Sequence, residues 1–275
     1  MGGMNHVLQL NDGHTIPQLG LGVYKIPEDL AAGAVEIALE AGYRHIDTAA
    51  LYANERGVGA GLARVALPRD EVFVTTKVWN ADHGYDNTLR AFDESLAKLG
   101  LDYVDLYLIH WPAPRQDRYI DTYRALEALR ADGRARSIGV SNFHTHHLDR
   151  LLAETDIVPA VNQVELHPWL AQTEVRAYNA AHGILTEDWS PLARGRAIGN
   201  ATLAAIGARY GKSAAQVVLR WHIELGNVVI PKSVTPSRIR ENLDVFDFTL
   251  DAADHATLRS LDADERTGKD PDDFD

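Results

Sequence analysis

Along this chain short continuous apolar runs alternate with stretches of helical spacing. The runs are LGLGV (19–23), RHID (44–47), VFVTTKV (72–78), YVDLYLIH (103–110), SIGVSN (137–142), AVNQVE (160–165), ILTEDW (184–189) and VVIPK (228–232). Their Val, Ile and Leu content predicts strands buried on both faces, as in a parallel sheet covered by helices. Between them, PEDLAAGAVEIALEAG opens with Pro and closes with Gly, the usual helix punctuation, and YDNTLRAFDESLAKLG and TYRALEALRADG also end on Gly. Eight such alternations predict an α/β fold of the (β/α)8 barrel type. A doubly wound open sheet would want a glycine-rich fingerprint after its first strand. GVGAGLAR (57–64) follows no strand and breaks that spacing, so it reads as helix packing.

Two segments lie outside the repeat. HVLQLNDGHTIP, with Asp12-Gly13 at its centre, predicts a β-hairpin that caps the bottom of the barrel. Residues 263–275, ADERTGKDPDDFD, are acidic and rich in breakers, and predict a flexible tail. No linker divides the chain, so residues 1–275 read as one domain.

Composition narrows the functional classes. A formal net charge of −12 argues against non-specific binding to nucleic acid or anionic membranes, while leaving room for a local basic pocket. With no cysteine, disulfides, thiol nucleophiles and cysteine metal sites are excluded. The N-terminus lacks the basic start and apolar core of a signal peptide, and His6 stands where a myristoylation pattern needs Ser or Thr. No apolar run approaches the ~20 residues that span a bilayer. The expectation is a cytoplasmic protein, working as a monomer.

In a parallel barrel the chemistry sits where strands end. Asp47, Lys77, His110, Ser141, Asn142, Gln163, Glu165, Trp189 and Lys232 all fall at such ends. Lys77 interrupts an apolar strand and needs a counter-charge, which Asp47 at the preceding strand end can supply. Left there, the two are a structural ion pair. Tyr52 and His110 at matching positions suggest more, because a charged lysine lowers a nearby phenol's pKa and lets it donate a proton. A Schiff-base aldolase using Lys77 is the competing chemistry, though it needs a depressed lysine pKa that Asp47 works against. His144, His146 and His147 in NFHTHHL read as a solvated turn, with no carboxylate on the same face to complete a metal site. GARYGKS (207–213) is one residue short of a phosphate loop. Tyr24, Trp79 and Trp111 follow barrel strands and are candidate substrate walls, with Phe274 from the tail a further candidate.

GYRHIDTAALYANERGVG, LDYVDLYLIHWP, SIGVSNF, VNQVELHPWL and VIPKSVTPSRIRENL, in that order, resemble the aldo-keto reductase family, and most closely its prokaryotic 2,5-diketo-D-gluconate reductase-like branch. The resemblance runs from about Val7 to Phe274. It implies a catalytic tetrad of Asp47, Tyr52, Lys77 and His110, with Tyr52 the proton donor and His110 orienting a substrate carbonyl. It implies an NADPH (NADP+) cofactor, whose carboxamide would meet Ser141, Asn142 and Gln163, whose ring would stack on Trp189, and whose pyrophosphate would lie along Ser190, Leu192 and Gly195. Lys232, Ser233, Val234, Thr235, Arg238, Glu241 and Asn242 match the family's adenosine phosphate pocket. Lys232 and Arg238 would hold a 2′-phosphate. The activity implied is reduction of small aldehydes and ketones, dicarbonyls or keto-sugars. A slow-turnover cofactor-binding regulator is the third reading. Glu187 and Asp188 depart from the family pattern, and Asp188 either borders the mouth or turns into the helix layer.

Overall fold

The computed structural model describes residues 6–275; the first five, on which part of the N-terminal targeting reading rests, lie outside the described residues. A two-stranded antiparallel hairpin, β1 (Val7–Gln9) and β2 (Thr15–Pro17), comes first. Eight parallel strands follow: β3 (Leu21–Gly22), β4 (His45–Asp47), β5 (Phe73–Val78), β6 (Val104–Ile109), β7 (Ala135–Ser141), β8 (Val161–Glu165), β9 (Leu185–Trp189) and β10 (Val228–Val229). Their spatial order is their chain order. The sheet closes on itself where Gly20 N–H donates to the Val229 carbonyl at 2.9 Å and Val229 N–H donates to that of Gln18 at 2.9 Å. At that seam a Cβ on Gly22 would stand 3.0 Å from the Ile230 carbonyl oxygen, so glycine is what lets the two edges meet.

The helices wrap the outside: α1 (Glu28–Ala41), α2 (Glu55–Arg64), α3 (Tyr85–Leu99), α4 (Tyr119–Ala131), α5 (Thr145–Glu154), α6 (Thr173–Ala181), α7 (Ala201–Tyr210), α8 (Ala214–Glu224), α9 (Pro236–Leu243) and α10 (Ala252–Arg259). Alternation along each strand divides its side chains between two cores. On β5, Val74 and Val78 join the layer between sheet and helices, while Phe73 packs with Leu106, Leu108, Val161 and Val228 inside the barrel floor. Leu10 and Ile16 of the hairpin complete that inner cluster, which is how β1 and β2 cap the bottom. The glycines of α2 are packing glycines: a Cβ on Gly57 would lie 2.3 Å from the Glu28 carbonyl oxygen and one on Gly59 2.2 Å from that of Leu99. None of the described helices is long and apolar enough to cross a membrane.

The 263–275 segment is held by contacts from elsewhere in the fold. Glu165 at the end of β8 accepts the backbone N–H of Thr267 at 2.7 Å and of Gly268 at 2.9 Å, and the Thr267 hydroxyl besides. Further on, Phe274 packs edge-on to Trp111 with ring centroids 4.8 Å apart. The segment therefore lies across the barrel mouth. Its acidic composition hid this, because the groups that hold it are contributed by distant strands and helices.

Candidate active site

The C-terminal ends of the strands open into a cavity of about 550 Å³. Asp47 closes β4, buried on the barrel side, and Lys77 approaches it from β5. Lys77 Nζ lies 2.7 and 2.8 Å from the two carboxylate oxygens of Asp47 and donates its third hydrogen to the Thr48 carbonyl at 2.9 Å. Burial raises the Asp47 carboxyl while the ammonium on both its oxygens pulls the other way; such a bidentate contact keeps the pair ionic. Tyr52 follows in the short 3₁₀ turn Ala50–Tyr52, its ring centroid 5.2 Å from Lys77 Nζ. A buried clamp that sequence reading missed holds this turn. Thr48 donates to Asn54 Oδ1 at 2.9 Å, and Asn54 Nδ2 donates to the carbonyls of Val23 and Ile26 at 3.0 and 2.9 Å. The Asn at the start of a helix was the one signal available for it.

His110, just past β6, stands edge-on to Tyr52 with centroids 5.5 Å apart. Burial, then the charge on Lys77, holds its imidazole well below the ordinary histidine range, so at neutral pH it is a neutral ring able to donate or accept one hydrogen bond. Tyr52 departs from expectation. Burial first, then the negative charge of Asp47, raises its phenol well above 10. Asp47 has already neutralised Lys77, so the lowering expected from that ammonium is absent and Tyr52 is protonated throughout the neutral range. The four groups of the expected tetrad are thus brought together, three of them on the cavity wall with Lys77 beneath.

The other expected residues divide. Ser141, Asn142, Gln163, Trp189, Ser190 and Lys232 line the cavity, as do Tyr24, Trp79, Trp111 and Phe274. Trp189 Nε1 donates to Asn142 Oδ1 at 2.8 Å, and Asn142 Nδ2 donates to the His110 carbonyl at 2.9 Å, which ties the aromatic wall to the tetrad. Asn142 (φ 63°) and Ser190 (φ 52°) hold left-handed backbone, strain of the kind that collects at functional sites. Leu192 and Gly195 sit in the loop after β9 without reaching this wall; Arg194 between them does. Ser233, Val234, Thr235, Arg238, Glu241 and Asn242 follow Lys232 into α9 beside the cavity rather than in it. Ser233 Oγ accepts the Thr235 N–H at 3.1 Å, and Glu241 accepts from Ser213 Oγ at 2.5 Å, a contact that ties α9 to the start of α8. Lys232 and Arg238 are exposed and, among the described residues, form no ion pair. Thr267, Gly268 and Lys269 join the wall from the tail, unforeseen from sequence.

Asp188 turns into the helix layer, against His222 Nδ1 at 2.6 Å and Asn227 Nδ2 at 2.9 Å. The reading of His144, His146 and His147 as a solvated turn also needs correction, since Asp272 of the tail brings a carboxylate to them and the four ligand atoms lie within 4.8 Å of one another. Two of the rings are nevertheless turned the wrong way for a cation. Arg266, which can only donate, faces His144 Nε2 at 2.9 Å, and the His144 backbone N–H donates to His147 Nδ1 at 3.2 Å. Each neutral ring then carries its proton on the nitrogen that faces Asp272. The cluster clasps the tail's carboxylate.

The family model described as "Aldo/keto reductase family" matches residues 17–263. An aldo-keto reductase of Mycolicibacterium smegmatis is 53% identical over 268 residues, covering 98% of each chain. The methylglyoxal reductase DkgA of Escherichia coli is 49% identical over 270 residues, again covering 98% of each. Among solved structures, a mutant of Gox0644 in complex with NADPH superposes with a TM-score of 0.95 at 47% identity, covering 99% of this chain and all of that one. A family model that matches residues 17–263 and relatives about half identical over 98% of the chain lead to one assignment: the chain belongs to the aldo/keto reductase family.

Proposed function

We propose that this protein is an NADPH-dependent reductase that converts small aldehydes and ketones, dicarbonyls such as methylglyoxal among them, to alcohols. The observation that carries the proposal is the placement of Tyr52 beside His110 on the cavity wall, above the Lys77–Asp47 pair. When bound, NADPH supplies the hydride. Tyr52 gives its phenolic proton to the substrate oxygen as negative charge develops there, and His110 holds that oxygen by a hydrogen bond. Tyr24, Trp79, Trp111 and Phe274 exclude water and favour small, compact carbonyls.

The chain's own residues fit the cofactor. Trp189, fixed through Asn142, offers an aromatic surface for a ring, while Ser141, Asn142 and Gln163 offer polar groups for an amide. Lys232 and Arg238, exposed cations in an acidic protein, suit a phosphate and favour NADPH over NADH; Ser190 and Arg194 at the wall suit the pyrophosphate. The aldolase alternative finds no support at Lys77, whose three hydrogens are all engaged by Asp47 and the Thr48 carbonyl. All four tetrad groups come from one chain, so a monomer suffices, and we infer a cytoplasmic enzyme. Tyr52→Phe tests the reading: NADPH binding should stay within about twofold, while kcat/KM for methylglyoxal falls about 100-fold or more. Turnover within a few-fold of wild type would remove Tyr52 as the donor.

A further inference from the structure

Inside the barrel, beneath the tetrad, is a carboxyl that the reaction above does not use. Glu187 of β9 is fully buried, and its Oε2 accepts a hydrogen bond from Gln163 Nε2 at 2.9 Å. The same nitrogen donates to Asp47 Oδ2 at 2.9 Å. An amide nitrogen carries two hydrogens, so both are spent downward and Gln163 keeps only its Oε1 for the cavity it lines. The fork of that NH₂ sets the two carboxyls roughly 5 Å apart.

The charged and titratable groups around Glu187 come from several elements. β4 contributes His45 and Asp47, β5 contributes Lys77, and Tyr52 stands above; Asp188, next on the same strand, points the other way to His222. Lys77 is the one cation among these and is fully engaged by Asp47 and Thr48. His45 Nε2 lies 3.6 Å from Glu187 Oε1, yet it is bonded to Thr75 Oγ1 at 3.1 Å and burial lowers its imidazole to about 3. Glu187 Oε1 has no hydrogen-bond partner among the described residues. An ionised carboxylate with a bare oxygen and no free cation is the costlier state in such a place; an uncharged carboxylic acid costs less. Burial first, then the charge of Asp47, raises Glu187 to about 8.

We propose that Glu187 is a positioning residue for the reduction: with Asp47 it fixes the Gln163 amide with its oxygen toward the cavity, and as an uncharged acid it leaves the Lys77–Asp47 pair as the only charge beneath Tyr52. This deepens the reductase reading and rests on it. Because the folded-state pKa is raised, the arrangement is intact at neutral pH and is lost as pH rises through about 8. An ionised Glu187 repels Asp47 across the shared amide, frees Gln163 to shift, and makes Tyr52 a poorer acid.

The test is NADPH binding to the full chain, followed by quenching of tryptophan fluorescence from pH 6 to 9.5, alongside kcat and KM for methylglyoxal. In the wild type the Kd for NADPH should rise about threefold or more between pH 7 and 9, and kcat should fall over the same range. Glu187→Gln keeps the shape and an acceptor oxygen but cannot ionise, so both limbs should disappear. Glu187→Ala, with no acceptor for Gln163, should bind NADPH several-fold more weakly already at pH 7. A Glu187→Gln protein that keeps the wild-type limbs overturns the proposal, and if Glu187→Ala does not fold, Glu187→Gln decides alone. A wild type that binds no NADPH at any pH would instead defeat the reductase reading itself.

Discussion

Replacing Lys77 with Met probes the charge arrangement beneath Tyr52 directly. Lys77 and Asp47 are 0% and 1% exposed, and the ammonium makes contacts of 2.7 and 2.8 Å to the carboxylate. Without it Asp47 retains the Gln163 N–H as a donor and loses its only cation. Breaking a buried pair on one side costs about 3–5 kcal/mol. A domain stable by roughly 5–15 kcal/mol survives that loss, so the variant should fold and unfold at lower urea. The loss depends on pH. An unpaired, buried Asp47 binds a proton in the folded state at pH values where the unfolded chain's carboxylate is ionised, so its folded pKa is raised and the folded state is favoured at the acid end. While the folded chain holds that extra proton, the slope is about 1.4 kcal/mol per pH unit. Between pH 7 and pH 5 the variant should therefore regain up to about 2.7 kcal/mol relative to wild type. Adding Asp47→Asn removes the charge and should remove most of that slope. Urea unfolding at pH 5, 6 and 7, read by tryptophan fluorescence, measures both effects. A cost below about 1 kcal/mol at pH 7, or one that is the same at pH 5 and 7, would mean that Asp47 is not the desolvated partner of Lys77, and the charge assignment around Tyr52 would fall with it.

Arg238→Ala should raise KM for NADPH about tenfold while changing KM for NADH less than about twofold, as loss of one charge-assisted phosphate contact requires; steady-state kinetics with both cofactors decides it, and equal effects would place Arg238 away from a 2′-phosphate. Gly268→Ala puts a Cβ 2.6 Å from the Trp189 ring and 2.9 Å from Glu165 Oε2, so the tail or the side chains it rests on must shift at the mouth. KM for methylglyoxal should then rise several-fold with Tm nearly unchanged, and an unaltered KM would show that the tail does not shape the substrate wall.

The candidate site was legible as a cluster because polar residues at strand ends have few reasons to be there. Lys77 breaks an apolar run, Asp47 closes another, and eight such runs in order leave one arrangement that brings their ends together. What stayed hidden depends on distance across the fold. Glu165 holds Thr267 and Gly268 from about a hundred residues away, and nothing in an acidic, breaker-rich segment announces a carboxylate waiting for its backbone N–H groups. The first and last strands are shorter than their apolar runs because the seam is made by isolated bridges at Leu19 and Gly22, one of them beside Pro231, which has no N–H to give. Glu187 and Asp188 were readable as a pair of carboxylates but not as opposites. Consecutive strand residues face opposite sides, which sends one into the barrel and the other to His222.

The charge states of the site change what is asked of Tyr52. Reading from sequence, Lys77 makes a phenol acidic enough to donate near neutral pH. In the structure Asp47 cancels that ammonium, His110 is neutral, Glu187 is neutral below about 8, and the Tyr52 phenol is raised above its ordinary range. At neutral pH the site therefore holds one compensated ion pair and one transferable proton. That proton does not need a depressed pKa, because an alkoxide forming on the substrate oxygen is far more basic than a phenolate; it needs to be present and in line. The raised phenol guarantees that it is present. It follows that Tyr52's own ionisation lies beyond the ordinary phenol value near 10, so an alkaline limb in the reduction profile near pH 8 belongs to another group. Glu187 is the buried acid placed to supply it.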